Sequence, residues 1–78
     1  MFKQTKLPKI GRHPSNTLAV SDPLVSGQHA QVSLQDGVWV VTDLGSRNGT
    51  FVNGARVQRQ ALRPGDQIQV GETVIAFQ

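Results

Sequence analysis

The sequence predicts an all-β sandwich of short antiparallel strands. Three observations lead there. Eight glycines and four prolines cut the 78 residues into short pieces, and no window of about a dozen residues sustains a 3.6-residue apolar period. The pieces themselves either alternate apolar with polar or run rich in β-branched side chains, as half-buried and buried strands do. Dipeptides that tolerate positive φ, Asp36-Gly37 and Asn53-Gly54, stand where hairpins need them. Short strands divided by such turns define a sandwich or barrel.

The elements follow in order. Residues 1–9 form a basic segment holding Lys3, Lys6 and Lys9, and Phe2, Leu7 and Ile10 supply one short strand at most. His29–Leu34 alternates and reads as a half-buried strand. Asp36-Gly37 turns the chain, and Val38–Asp43 returns. Its unbroken apolar run predicts deep burial, with Trp39 in the core. The loop Leu44–Gly49 leads into the strand Thr50–Asn53, which ends at Asn53-Gly54. Arg63-Pro64-Gly65-Asp66 is a tight turn. Gln67–Val70 alternates again, Gly71-Glu72 turns, and Thr73–Phe77 closes the chain inside an apolar strand. That ending predicts a domain belonging to a longer protein.

Composition narrows the class. There is no cysteine, so neither disulfides nor thiolate metal sites staple the fold. Hydrophobic residues make up 37% of the chain, which places it above the disordered range. No apolar run approaches the ~20 residues of a membrane helix, and the N-terminus lacks a signal peptide's apolar stretch. A cytoplasmic protein without membrane contact is expected. The net charge of +3 permits nucleic-acid binding, but base stacking wants surface aromatics. Phe51, Phe77 and Trp39 all sit in apolar strand contexts. Beyond Lys9 every basic residue is an arginine: Arg12, Arg47, Arg56, Arg59 and Arg63. Arginine suits bidentate contact with phosphate or carboxylate.

Polar punctuation gathers in three loops, Ile10–Asn16, Val25–His29 and Leu44–Gly54. They offer Arg12, Ser26, Arg47 and Asn48, a donor-rich set without a carboxylate, suited to an anion. Each residue also has a plainer reading. Arg12 and Arg47 would serve as solvated surface charges, Ser26 as a turn residue bonding backbone, and Asn48 as turn chemistry before Gly49. Arg56, Arg59 and Arg63 read as a solvated face, or as secondary contacts to the ligand.

At these positions the chain closely resembles the forkhead-associated (FHA) domain. The pattern is Gly11-Arg12, Ser26-Gly27-Gln28-His29 and Asn48-Gly49-Thr50-Phe51-Val52-Asn53-Gly54. Asn16, Asp22, Val25, Asp43-Leu44, Ser46, Leu62, Gly65-Asp66, Ile68 and Gly71 also fit. The resemblance covers residues 10–78 and implies an FHA-type (SMAD/FHA-like) β-sandwich, eleven-stranded in the family, whose loops bind phosphothreonine in an extended peptide. Under it, Arg12, Ser26, Gly27 (through its backbone N–H) and Arg47 contact the phosphate. Asn48 holds the peptide main chain, and Gly11, His29, Gly49 and Asn53 support the loops. The implied partner is a threonine-phosphorylated protein, with no cofactor, no metal and no nucleic acid.

Other chemistries fail on the residues. Ser26, His29 and Asp43 have no sign of an oxyanion hole. Two histidines lack paired metal-ligand spacing. Gly45-Ser46-Arg47-Asn48-Gly49 lacks the lysine and helix of a Walker loop. An enzyme is not expected. Two departures from the family pattern stand out. Gly27 occupies a position where many members carry arginine or lysine, which leaves room for a degenerate, phosphate-independent relative. Only ten residues precede Gly11, so the sandwich is expected to be short of its first strand or two, with an edge open to pairing or domain swapping.

Overall fold

Turn chemistry sets the frame of the computed structural model, which describes residues 9–77. Asp36 and Asn53 both adopt φ of 51°, followed by Gly37 at 81° and Gly54 at 87°. Successive positive φ values make the tight hairpin turns foreseen at both Asx-Gly pairs. The expected strand from Phe2 and Leu7 lies outside the described residues.

Nine strands appear among the described residues: β1 (Lys9–Gly11), β2 (Leu18–Ala19), β3 (Ala30–Gln35), β4 (Val38–Asp43), β5 (Thr50–Val52), β6 (Ala55–Val57), β7 (Arg59–Ala61), β8 (Gln67–Val70) and β9 (Thr73–Ala76). They form two sheets, ordered β2-β1-β3-β4-β7 and β6-β5-β8-β9. Every pairing is antiparallel except β1 with β2. The all-β sandwich is therefore present. β2, β6 and β7 were not foreseen. At two or three residues each, they are too short to show a period.

Ile10, Val25, Ala30, Val32, Val41, Val52, Leu62, Ile68 and Val70 form the core between the sheets. Burying each of the larger ones contributes about 1.5–3 kcal/mol. The strand β4 departs from its expected uniform burial. Val40 and Val41 are buried, whereas Val38 and Trp39 are 45% and 38% exposed. Trp39 is thus not a core residue. It edges onto Phe77, with ring centroids 6.5 Å apart, at an apolar cleft shared with Ile10, Leu18, Val32, Ile68 and Ile75. The strand β9 is the outer strand of its sheet among the described residues.

The registers place the connections. Ile10 pairs with Ala30, Ala30 with Asp43, Thr50 with both Val57 and Val70, and Val70 with Thr73. The chain just after β1, the loops before β3 and β5, and the β8–β9 turn therefore share one end of the sandwich. The turns at Asp36-Gly37 and Asn53-Gly54 fall at the other.

Candidate anion-binding site

The first loop is locked to the second by backbone pairing. The Arg12 N–H donates to the Ser26 carbonyl (2.9 Å) and the His13 N–H to the Gly27 carbonyl (3.3 Å). Such close approach leaves no space at Gly11. A Cβ there would stand 2.2 Å from the Gly27 carbonyl oxygen and 2.6 Å from Asn16 Nδ2. Asn16 seals the joint, its buried amide donating to the carbonyls of His13 (2.8 Å) and Gly27 (2.7 Å).

His29 ties the second loop to the third. Its ring is fully buried. Nδ1 accepts the Ser26 N–H (3.0 Å), and Nε2 lies 2.8 Å from the Gly49 carbonyl oxygen. Since a carbonyl only accepts and Nδ1 is itself accepting, the geometry assigns the Nε2–H tautomer.

Two carboxylates complete the framework. Asp43 Oδ2 accepts the N–H groups of Gly45 and Ser46 (3.0 Å each). Its Oδ1 accepts the hydroxyls of Ser46 (2.5 Å) and Thr50 (2.7 Å). Ser46 Oγ in turn accepts the Gly49 N–H (2.9 Å). Burial pushes the Asp43 carboxyl up, but these donors outweigh it and hold the group below the usual carboxylate range. Asp22 accepts from the Leu24 N–H (2.9 Å), the Glu72 N–H (2.8 Å) and the Thr73 hydroxyl (3.0 Å). It thereby fastens the second loop to the β8–β9 turn of the opposite sheet. Those backbone donors, Leu24 first, lower its pKa.

What this framework presents is a cleft of about 250 Å³ lined by Arg12, Pro23, Leu24, Val25, Ser26, Gly27, Arg47 and Asn48. No carboxylate lines it. Four of the predicted phosphate contacts and the predicted main-chain contact therefore meet in one place. Among the described residues, neither guanidinium donates a hydrogen bond to the protein. Ser26 Oγ accepts the Arg47 N–H (3.0 Å), which leaves its own hydroxyl proton for a ligand. Asn48 Nδ2 donates to the Leu24 carbonyl (2.8 Å), which leaves one N–H and Oδ1 free to face a main chain. The Gly27 N–H has no partner among the described residues. Beside it, a Cβ built on Gly27 would meet nothing within 4 Å.

Gly11, His29 and Gly49 sit beneath the cleft as loop supports. Asn53 does not. It stands at the far end of β5, where it donates to Asp66 (3.0 Å) and accepts the Gln67 N–H (3.0 Å). It braces the turn before β8 rather than the ligand loops. Asn16, Asp22 and Asp43 fitted the sequence pattern, but what they do there was not legible. Their partners lie up to 51 residues away, and no local periodicity reveals that.

A β-sandwich presenting a donor-lined cleft on the loops of one end defines a class of binding modules. The FHA domain model matches residues 9–71, and the chain belongs to the FHA domain family. It is similar to the oxoglutarate dehydrogenase inhibitor of Corynebacterium glutamicum, 39% identical over 67 residues, 86% of this chain and 47% of that one. It is also similar to the glycogen accumulation regulator GarA of Mycolicibacterium smegmatis, 40% identical over 86% of this chain and 42% of that protein. The chain thus spans less than half the length of these relatives. Among solved structures, Mycobacterium tuberculosis EmbR in complex with a low-affinity phosphopeptide superposes with a TM-score of 0.88 at 30% identity, over 92% of this chain and 19% of that one. The FHA domain of FhaA superposes with a TM-score of 0.86 at 33% identity, over 97% and 84%.

Proposed function

We propose that this chain is a phosphothreonine-dependent peptide-binding module that brings a kinase-modified partner to the protein carrying it. The observation that carries the reading is the cleft itself. Arg12, Arg47, the Ser26 hydroxyl and the Gly27 N–H converge on it with their donors unspent, and no carboxylate competes. In this reading the guanidinium groups engage the phosphate oxygens in bidentate fashion. Ser26 and the Gly27 N–H take the remaining oxygens, and Asn48 fixes the main chain beside the phosphothreonine. Each charge-assisted hydrogen bond contributes roughly 1.5–3 kcal/mol. After ordering costs, a few of them correspond to micromolar affinity, about −8 kcal/mol. FHA relatives named as an inhibitor and a regulator support a binding role rather than catalysis, and a complex of EmbR with a phosphopeptide supports the ligand class. The reading places the module in the cytoplasm with the kinases that mark its partner.

The test is a titration with a phosphothreonine peptide library, its unphosphorylated counterpart and single-stranded DNA. Binding confined to the phosphorylated peptides, and lost in Arg12→Ala, is expected. Equal binding of both peptide forms would point to phosphate-independent assembly and overturn the proposal, as would preference for DNA.

A further inference from the structure

A third guanidinium lies beside the cleft without lining it. Arg56 pairs with Phe51 across β5 and β6. Thr50 and Val52 point inward and are buried, so Phe51 and Arg56 face outward. Gly49, two residues before Phe51, falls on the same face. There the arginine side chain lies flat on the backbone. A Cβ on Gly49 would stand 2.7 Å from Arg56 Nε, 3.0 Å from Cζ and 3.3 Å from Cδ. Gly49 is therefore needed twice, for its φ of 91° and for the arginine it accommodates.

The consequence is a positioned charge. A surface arginine ordinarily samples many rotamers. This one is seated against the turn that carries Asn48, one residue from the proposed main-chain contact. Among the described residues it forms no ion pair. Of the carboxylates at this end of the sandwich, Asp22 and Asp43 are engaged by backbone and hydroxyl donors, and Glu72, exposed in the β8–β9 turn, forms no ion pair with it among the described residues. A guanidinium seated beside the cleft, with no ion pair among the described residues, is suited to a second anion on the same ligand.

We propose that Arg56 reads an acidic side chain, aspartate or glutamate, in the stretch of phosphopeptide that leaves the cleft over Asn48. The proposal rests on the phosphothreonine reading and narrows its ligand class to phosphothreonine peptides with an acidic flank.

The experiment is a scan of a phosphothreonine peptide in which each flanking position in turn carries Asp, Ala or Lys, measured at low salt. At one position Asp is expected to bind about two- to fivefold more tightly than Ala, the range of an exposed ion pair, and Lys less tightly. The advantage fades as salt rises. Arg56→Gln brings the Asp-to-Ala ratio to about one, Arg56→Glu inverts the preference toward Lys, and Arg56→Lys retains part of it. An arginine that only covers Gly49 would weaken all peptides alike and leave the ratio untouched. That result, or the absence of any acidic preference in the unmodified chain, overturns the proposal while leaving phosphothreonine binding intact. A chain that bound no phosphothreonine peptide, whatever its flanks, would overturn both readings together.

Discussion

Replacing His29 with alanine tests whether one buried ring holds two ligand loops in register. The imidazole is 0% exposed. It receives the Ser26 N–H at 3.0 Å and meets the Gly49 carbonyl at 2.8 Å. Alanine strands both backbone groups, and each buried unsatisfied group costs about 1–3 kcal/mol. The vacated ring adds a cavity cost on the order of 1 kcal/mol. Together these give about 3–7 kcal/mol, to be set against a total of roughly 4–12 kcal/mol for a domain of this length. Urea unfolding followed by tryptophan fluorescence measures it, since Trp39 lies beside Phe77 at the sandwich edge. The variant is expected to lose most of its folded baseline. Where a stabilising osmolyte restores folding, phosphopeptide affinity should remain low, because Ser26 and Asn48 are no longer held to a common frame. A loss under about 1 kcal/mol, with affinity unchanged, would refute the reasoning.

Two further outcomes follow from the same geometry. Gly27→Arg is expected to fold normally, since a Cβ there meets nothing within 4 Å. It should tighten phosphothreonine-peptide binding about ten- to a hundredfold, the value of one added charge-assisted contact. Unchanged or weaker binding by calorimetry would mean the phosphate does not sit against that position. Acid should unfold the domain through its aspartates. Asp22, Asp43 and Asp66 all titrate below their ordinary value when folded. The unfolded chain therefore takes up protons first, and the stability these groups contribute is full above about pH 4 and drains away as pH falls further through the folded pKa values. A urea midpoint flat down to about pH 2.5 would contradict this. Asp43→Asn should shallow the descent.

The turns and the longer strands were legible because their signals are local. Asp36-Gly37 and Asn53-Gly54 specify their own backbone, and β3, β4, β8 and β9 are long enough to show alternation or a β-branched run. Trp39 was misread for a physical reason. An apolar run in sequence says that a strand is flanked on both faces, but not how far along its length the flanking elements extend. The cover over β4 ends short of Trp39. The residues that line the cleft were legible as a pattern of residue types. The network under them was not, because Asp22 acts on Thr73 and His29 on Gly49, and only the packed sandwich brings those pairs together. Asn53 shows the converse error. It sits inside the most diagnostic stretch of the chain, yet β5 carries it to the opposite end of the molecule.

The arrangement also explains how two aspartates can stand beside the proposed phosphate site without repelling its ligand. A carboxylate about 4 Å from a phosphate at a partly screened surface would cost several kcal/mol per charge pair. Here Asp43 and Asp22 turn their oxygens inward to donors of the loop backbone. Each carboxylate gathers the N–H and hydroxyl dipoles of its own loop, so its field is met at short range by the groups that it orders. The loops so fixed then present the opposite sign outward, through Arg12, Arg47 and the Ser26 hydroxyl. The same short side chains that would defeat the site if exposed are what give it a shape before any ligand arrives. A preformed cleft spares the ligand the cost of ordering its loops. That lets a small domain, with little stability to spare, hold several unpaired cationic and donor groups at one end of its fold.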